Sequence, residues 1–233
     1  MKAIFIAGTD TGVGKTIVTG CLFRYLVEKG YKAITQKWVQ TGSSSIYASD
    51  INEHFKISRQ DLSLVKEDFP LILPYLFKMP ASPHLASKSE GRRIRTDKIK
   101  QSFRALSERF DFIIVEGVGG ALAPLHKGKL VIDIVQELKL PVLLVAGNKL
   151  GAINHTLLTL ESLDSRKINT LGLVFNNSDK QNSRVLQDNP KIVKALTNKI
   201  IFGILPRRPT YGLIYKKFVP LADKIFKRLK ADG

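Results

Sequence analysis

One loop near the amino terminus constrains this chain more than any other feature. The apolar run Ala3-Ile4-Phe5-Ile6-Ala7 leads into Gly8-Thr9-Asp10-Thr11-Gly12-Val13-Gly14-Lys15-Thr16, and a helical pattern begins at once. A glycine-rich loop between a buried strand and a helix N-terminus turns backbone N–H groups toward an anion, which makes it a phosphate cradle rather than a plain turn. In that reading Lys15 reaches the β- and γ-phosphate oxygens of a nucleoside triphosphate, and the Thr16 hydroxyl binds Mg²⁺. The glycine spacing is shifted: the common pattern has glycine where this chain has Thr9, and its glycine stands one position earlier, at Gly8.

The rest of the chain repeats the theme. Apolar runs at 3–7, 33–37, 112–115, 142–145, 171–175 and 200–204 alternate with amphipathic stretches at 15–29, 95–109, 131–138, 155–165 and 191–198. Such alternation predicts an α/β fold: a single P-loop NTPase-like domain over 1–233 with a doubly wound, mostly parallel sheet flanked by helices. Ligands then bind at the carboxyl ends of the strands. Gly30 is placed to close the first helix. Residues 43–89, with prolines at 70, 74, 80 and 83, are the least regular part and are expected to form an insertion beside the site.

With 233 residues and 44% hydrophobic composition, the chain can bury one substantial core. Lysine and arginine number 37 against 20 acids, a net +17. The excess lies mainly in 88–109 and 191–230, stretches of helical pattern, so a solvated helix face competes with an anion-binding surface. The lone Cys21 suits a reducing compartment. The opening apolar run is too short for an export signal, and no run reaches membrane-spanning length. A soluble cytoplasmic protein, bound neither to membrane nor to nucleic acid, is expected.

Two acids are candidates for the cation that accompanies a triphosphate. Glu116 ends Phe112-Ile113-Ile114-Val115 and precedes Gly117-Val118-Gly119-Gly120, at a buried strand's carboxyl end. Asp50, in Ser49-Asp50-Ile51, has the weaker case, since an isolated acid there reads more readily as a helix cap. Lys37 ends the second strand; it is either a clamp on a transferring phosphoryl group or a solvated strand end.

Taken together, the loop 8–16, Lys37 with Thr41-Gly42, Ser82-Pro83-His84, Glu116-Gly117-Val118-Gly119-Gly120 and Lys149-Leu150-Gly151-Ala152-Ile153-Asn154-His155 resemble the dethiobiotin synthetase family, in family order. The shifted glycine belongs to that resemblance. It implies an enzyme, a ligase that converts 7,8-diaminononanoate, CO₂ and ATP into dethiobiotin, ADP and phosphate through a carbamate and its mixed anhydride with phosphate. It further implies catalytic roles for Lys37, Lys15 and Thr11, and ATP contacts from Asp10, Thr11, Gly12, Val13, Gly14, Lys15, Thr16, Asn176 and Pro206. Asn177 stands in for Asn176 if the register slips. Mg²⁺ would be held by Thr16, Asp50 and Glu116. Thr41 would bind substrate, together with Leu150, Gly151 and Asn154 from the neighbouring subunit of a homodimer. Asn154 reads alternatively as no more than a helix cap. Two departures stand out: Trp38 where the family commonly has proline, and the basic Arg207-Arg208-Pro209-Thr210 where some relatives have an acid near the ribose.

Two rivals share the loop. Partitioning and septum-positioning ATPases usually carry a second lysine five residues before Lys15, where this chain has Asp10. Amidating ligases of this fold normally need a glutamine-hydrolysing domain, for which 233 residues leave no room.

Overall fold

In the computed structural model, which describes residues 2–45, 49–177, 182–207 and 210–231, the elements alternate as the apolar runs demand. Their order is β1 (Lys2–Gly8), α1 (Lys15–Glu28), β2 (Ala33–Lys37), β3 (Val39–Gln40), α2 (Asp50–Ser58), a 3₁₀ turn (Leu62–Val65), α3 (Phe69–Ile72), β4 (Tyr75–Leu76), α4 (Pro83–Ser89) and α5 (Thr96–Ser107). There follow β5 (Phe112–Glu116), β6 (Pro124–His126), β7 (Lys129–Leu130), α6 (Val131–Glu137), β8 (Val142–Gly147), α7 (Ala152–Ser165), β9 (Thr170–Asn176), α8 (Ser183–Thr197), β10 (Ile201–Leu205) and α9 (Tyr211–Ala231).

Six strands form one parallel sheet in the order β10-β9-β8-β1-β5-β2. Helices cover both faces, so β5 and β8 are buried at every residue, which is why they read as unbroken apolar runs rather than alternating ones. From β1 the chain turns toward the β2 edge, and from β8 toward the β10 edge. The crevice where these directions diverge opens at the carboxyl ends of the strands, beside the glycine-rich loop. Register aligns Lys37 of β2 and Ile6 of β1 with Glu116 of β5, so the two charged residues end neighbouring strands at one level.

The irregular stretch after β2 is an insertion beside this crevice, as expected, but it contains α2, packed closely on α1. Gly20 makes the approach possible: a Cβ there would stand 2.8 Å from the Ile57 side chain of α2. Each added atom at such a contact costs repacking of about 1–3 kcal/mol.

Several helix boundaries differ from the periodicity reading. α7 begins at Ala152, three residues earlier, with Gly151 (φ 85°) at its N-cap, so Asn154 lies in the first turn and caps nothing. α8 begins at Ser183 and runs through Pro190. The basic tail forms α9, whose Tyr215, Phe218, Leu221, Ala222, Ile225 and Leu229 are buried. α5 starts at Thr96, with Arg95 as its cap residue; its Arg104 faces solvent, whereas Lys98 Nζ donates to the Pro74 carbonyl at 3.1 Å. Gly30 closes α1 in the left-handed region, its N–H donating to the Val27 carbonyl. Cys21 packs inside α1. Arg208 and Pro209 lie outside the described residues, and Arg207 is exposed. Among the described residues, no helix is long and apolar enough to cross a membrane.

Candidate active site

The loop after β1 wraps over the N-terminus of α1. Gly14 adopts φ 99°, a region open to glycine, and a Cβ there would stand 2.1 Å from the Asn176 side-chain amide. That amide, buried at the end of β9, donates to the Val13 carbonyl at 3.0 Å. Asp10 shapes the loop from within: its carboxylate accepts from the Thr11 N–H at 2.7 Å, and its carbonyl accepts from Lys15 Nζ at 2.9 Å.

Facing the loop is a cleft of 810 Å³, lined by Thr11, Gly12, Gly14, Lys15 and Thr16 together with Lys37, Thr41, Asp50 and Glu116. The 80–83 segment, which includes the Ser82-Pro83 pair, closes one side, and 118–120 another. At the bottom lies a buried charged cluster. Lys37 Nζ donates to Asp50 Oδ2 and, at 2.7 Å, to Glu116 Oε1; the Thr16 hydroxyl donates to the same Glu116 oxygen at 3.1 Å. Lys37 is therefore no solvated strand end, and Asp50, the first residue of α2 after its cap Ser49, is no cap. Trp38 does not disturb the aim of Lys37. Its indole turns inward against Phe5, with centroids 5.3 Å apart, and donates to Gln36 at 3.0 Å.

Burial of ionised groups costs several kcal/mol each unless partners compensate, so such a cluster signals chemistry more than stability. Burial alone would raise the Glu116 carboxyl; Lys37 and then His54 overcome it and hold it far below the carboxylate range. Lys37 is pulled down by burial, but Glu116 and Asp50 outweigh this and keep it above the ordinary lysine value. Lys15, lacking a carboxylate contact of that kind, is lowered to about 8, by burial first and then by the Lys37 ammonium; Glu116, Asp50 and Asp10 offset this only in part.

His54 is a site residue the sequence reading missed. It is fully buried, and its Nε2 meets Glu116 Oε2. Its signal was the spacing Asp50…His54, four apart on a helix and therefore on one face. Gln40 was missed too: it lines the cleft, and its side-chain oxygen accepts from the Asp50 N–H at 3.3 Å. Leu150, Gly151 and Asn154 do not line this cleft; they stand exposed at the start of α7, Leu150 at 82%. Pro206 is half-buried just beyond β10, and the Asn177 N–H donates to Leu205 beside it. Among the described residues, no three His, Cys, Asp or Glu side chains gather as a metal-ligand group. Thr16, Asp50 and Glu116 are the residues of this cluster that could hold a cation, with phosphate and water to complete the shell.

A parallel sheet, a glycine-rich loop on a helix N-terminus and a lysine-carboxylate cluster beneath it define a P-loop enzyme that uses a nucleoside triphosphate. Comparison with known proteins agrees. The family model described as an AAA domain matches residues 2–212. The septum site-determining protein MinD of Pyrococcus horikoshii, complexed with Mg-ADP, superposes with a TM-score of 0.62 at 16% identity, covering all of this chain and 96% of that one, a likeness of fold alone. The chain is 44% identical over 176 residues to the ATP-dependent dethiobiotin synthetase BioD 2 of Haemophilus influenzae, covering 75% of this chain and 91% of the relative. It is 40% identical to the corresponding BioD of Chlorobaculum tepidum, over 88% and 85% of the two chains. The chain belongs to the ATP-dependent dethiobiotin synthetase family.

Proposed function

We propose that this protein, a cytoplasmic homodimer, closes the ureido ring of dethiobiotin from 7,8-diaminononanoate, CO₂ and ATP. One substrate amine adds to CO₂ and loses a proton, giving a carbamate. A carbamate oxygen attacks the γ-phosphorus, the bond to the bridging oxygen breaks, and ADP leaves. The second amine then attacks the carbonyl carbon and expels phosphate. Most of the protein's work is alignment and neutralisation of charge.

Lys15 neutralises the β- and γ-oxygens while the loop amides hold them. Lys37 transfers its ammonium from the Asp50–Glu116 pair to the charge developing on the phosphoryl group. Thr11 and Thr41 donate hydrogen bonds to the carbamate end. Thr16, Asp50 and Glu116 hold Mg²⁺, which supplies electrostatic neutralisation of the phosphates when bound. Asn176, with Pro206, flanks the base. Leu150, Gly151 and Asn154 meet the substrate carboxylate across the dimer interface, where the first-turn amides of α7 favour an anion. Their exposure outside their own subunit's cleft supports that assignment.

The observation that supports the reading most is the convergence of Lys15, Thr16, Lys37, Asp50 and Glu116 on one cleft beneath the loop. Phosphate release from ATP by the purified protein tests it. Release is expected only when diaminononanoate and bicarbonate are both present; release unaffected by omitting the diamine overturns it.

A further inference from the structure

Glu116 divides its two carboxylate oxygens between different tasks. Oε1 accepts from Lys37 and Thr16, the groups that face the loop, whereas Oε2 meets only His54 Nε2 among the described residues. A carboxylate accepts and does not donate, so Nε2 carries the hydrogen that Oε2 receives. Nδ1 is buried and has no hydrogen-bond partner among the described residues. Most buried polar groups are paired, and the one pairing this ring makes among the described residues is with Glu116. Here an apolar side chain would fill the same space without that cost, so Glu116 is what the ring serves.

The arrangement matters most when Lys37 leaves. Glu116 then loses one anchor on Oε1, and the terminal torsion of a glutamate is soft and nearly two-fold. His54 is held apart from Lys37: it is fully buried on α2, which packs on α1 at the Gly20–Ile57 contact. We propose that His54 is a positioning residue: it pins Oε2 of Glu116 so that Oε1 stays aimed at Thr16 and the cation throughout phosphoryl transfer. This rests on the role given to Glu116 above.

The test uses the full chain, Mn²⁺ and a non-hydrolysable ATP analogue, with no diamine. Manganese affinity is read by electron paramagnetic resonance for the wild type, His54→Leu, which fills the volume without a donor, and His54→Gln, whose amide N–H reaches the Nε2 position. Loss of a partner behind a metal ligand typically weakens affinity about 10–100-fold. That loss is expected for His54→Leu, with recovery to within about threefold in His54→Gln; in turnover assays the Mg²⁺ requirement should rise while the diamine KM holds. If His54→Leu does not fold, His54→Asn, polar but too short to reach Glu116, takes its place with the same expectation. Wild-type manganese affinity in the donor-less variant, or equal weakening in His54→Gln, overturns the proposal. Because no diamine is present, the binding result stands apart from the ring-closure reading, which fails separately if the wild type releases phosphate without diamine.

Discussion

Replacing Lys37 with methionine keeps the length of the unbranched stem and removes the ammonium that Asp50 and Glu116 share. Glu116 is almost completely buried, and its contact to Lys37 is 2.7 Å. Breaking a buried pair by removing one partner costs about 3–5 kcal/mol, because the other charge is left stranded. Asp50 is 32% exposed at its side chain and regains some hydration, so the low end, about 3 kcal/mol, applies. At about 2–4 °C per kcal/mol for a chain of this size, Tm falls by about 6–12 °C. Mg²⁺ should reverse part of the loss. It carries the missing charge to the same two carboxylates, and a ligand at a hundred times its Kd returns about 2.7 kcal/mol. In the wild type Lys37 competes for those carboxylates, so the Mg²⁺-induced rise in Tm should be smaller. Differential scanning calorimetry of both proteins with and without Mg²⁺ measures all four values. A Tm loss below about 2 °C, too small for a stranded buried charge, or an equal Mg²⁺ response in the two proteins, would mean that Lys37 does not neutralise these carboxylates. Turnover of Lys37→Met should fall about 10²–10³-fold, as for other charge-stabilising donors.

Other outcomes follow from the same geometry. Gly14→Ala forces a Cβ at φ 99° to within 2.1 Å of Asn176, so calorimetry should show ATP-analogue affinity weakened at least about tenfold, 1.4 kcal/mol; unchanged affinity would remove Asn176 from the loop. Lys15 in the free protein titrates near 8, below the ordinary lysine value, so its charged, phosphate-binding form is present below that pH and lost above it. ATP-analogue affinity should therefore drop about tenfold per pH unit above that point, with proton uptake on binding near it; a Lys15→Met variant should show a flat profile at lower affinity, and a wild-type profile flat to pH 10 contradicts the assignment. If Asn154 serves the neighbouring subunit, Lys37→Met and Asn154→Ala, each inactive alone, should regain roughly a quarter of wild-type activity when subunits are mixed, since half the dimers are mixed and each holds one intact site. No recovery would place Asn154 in its own subunit's chemistry or outside the site.

What the sequence revealed of this fold depended on whether a signal was local. β5 and β8 were legible because helices cover both sheet faces and leave only apolar residues in the strands. Lys37 and Glu116 were legible because a charged residue ending such a run has few structural reasons to be there. Where periodicity met a misleading residue the reading slipped. Asn154 looked like a cap and delayed α7, whose cap is Gly151. Likewise the helix read at 191–198 begins at Ser183 and carries Pro190 buried within it, whereas the helical pattern of the basic tail was legible and forms α9. His54 was hidden for a different reason: its partner is 62 residues away, and only the α1–α2 packing permitted by Gly20 brings the two together.

In the proposed chemistry a carbamate oxygen attacks the γ-phosphorus within this cleft. Single-turnover reaction of enzyme, ATP and diaminononanoate with ¹⁸O-labelled CO₂, followed by mass analysis of the phosphate, tests it directly. One labelled oxygen is expected in the released phosphate and one in the ring carbonyl of the product. Labelled product accompanied by unlabelled phosphate would contradict it.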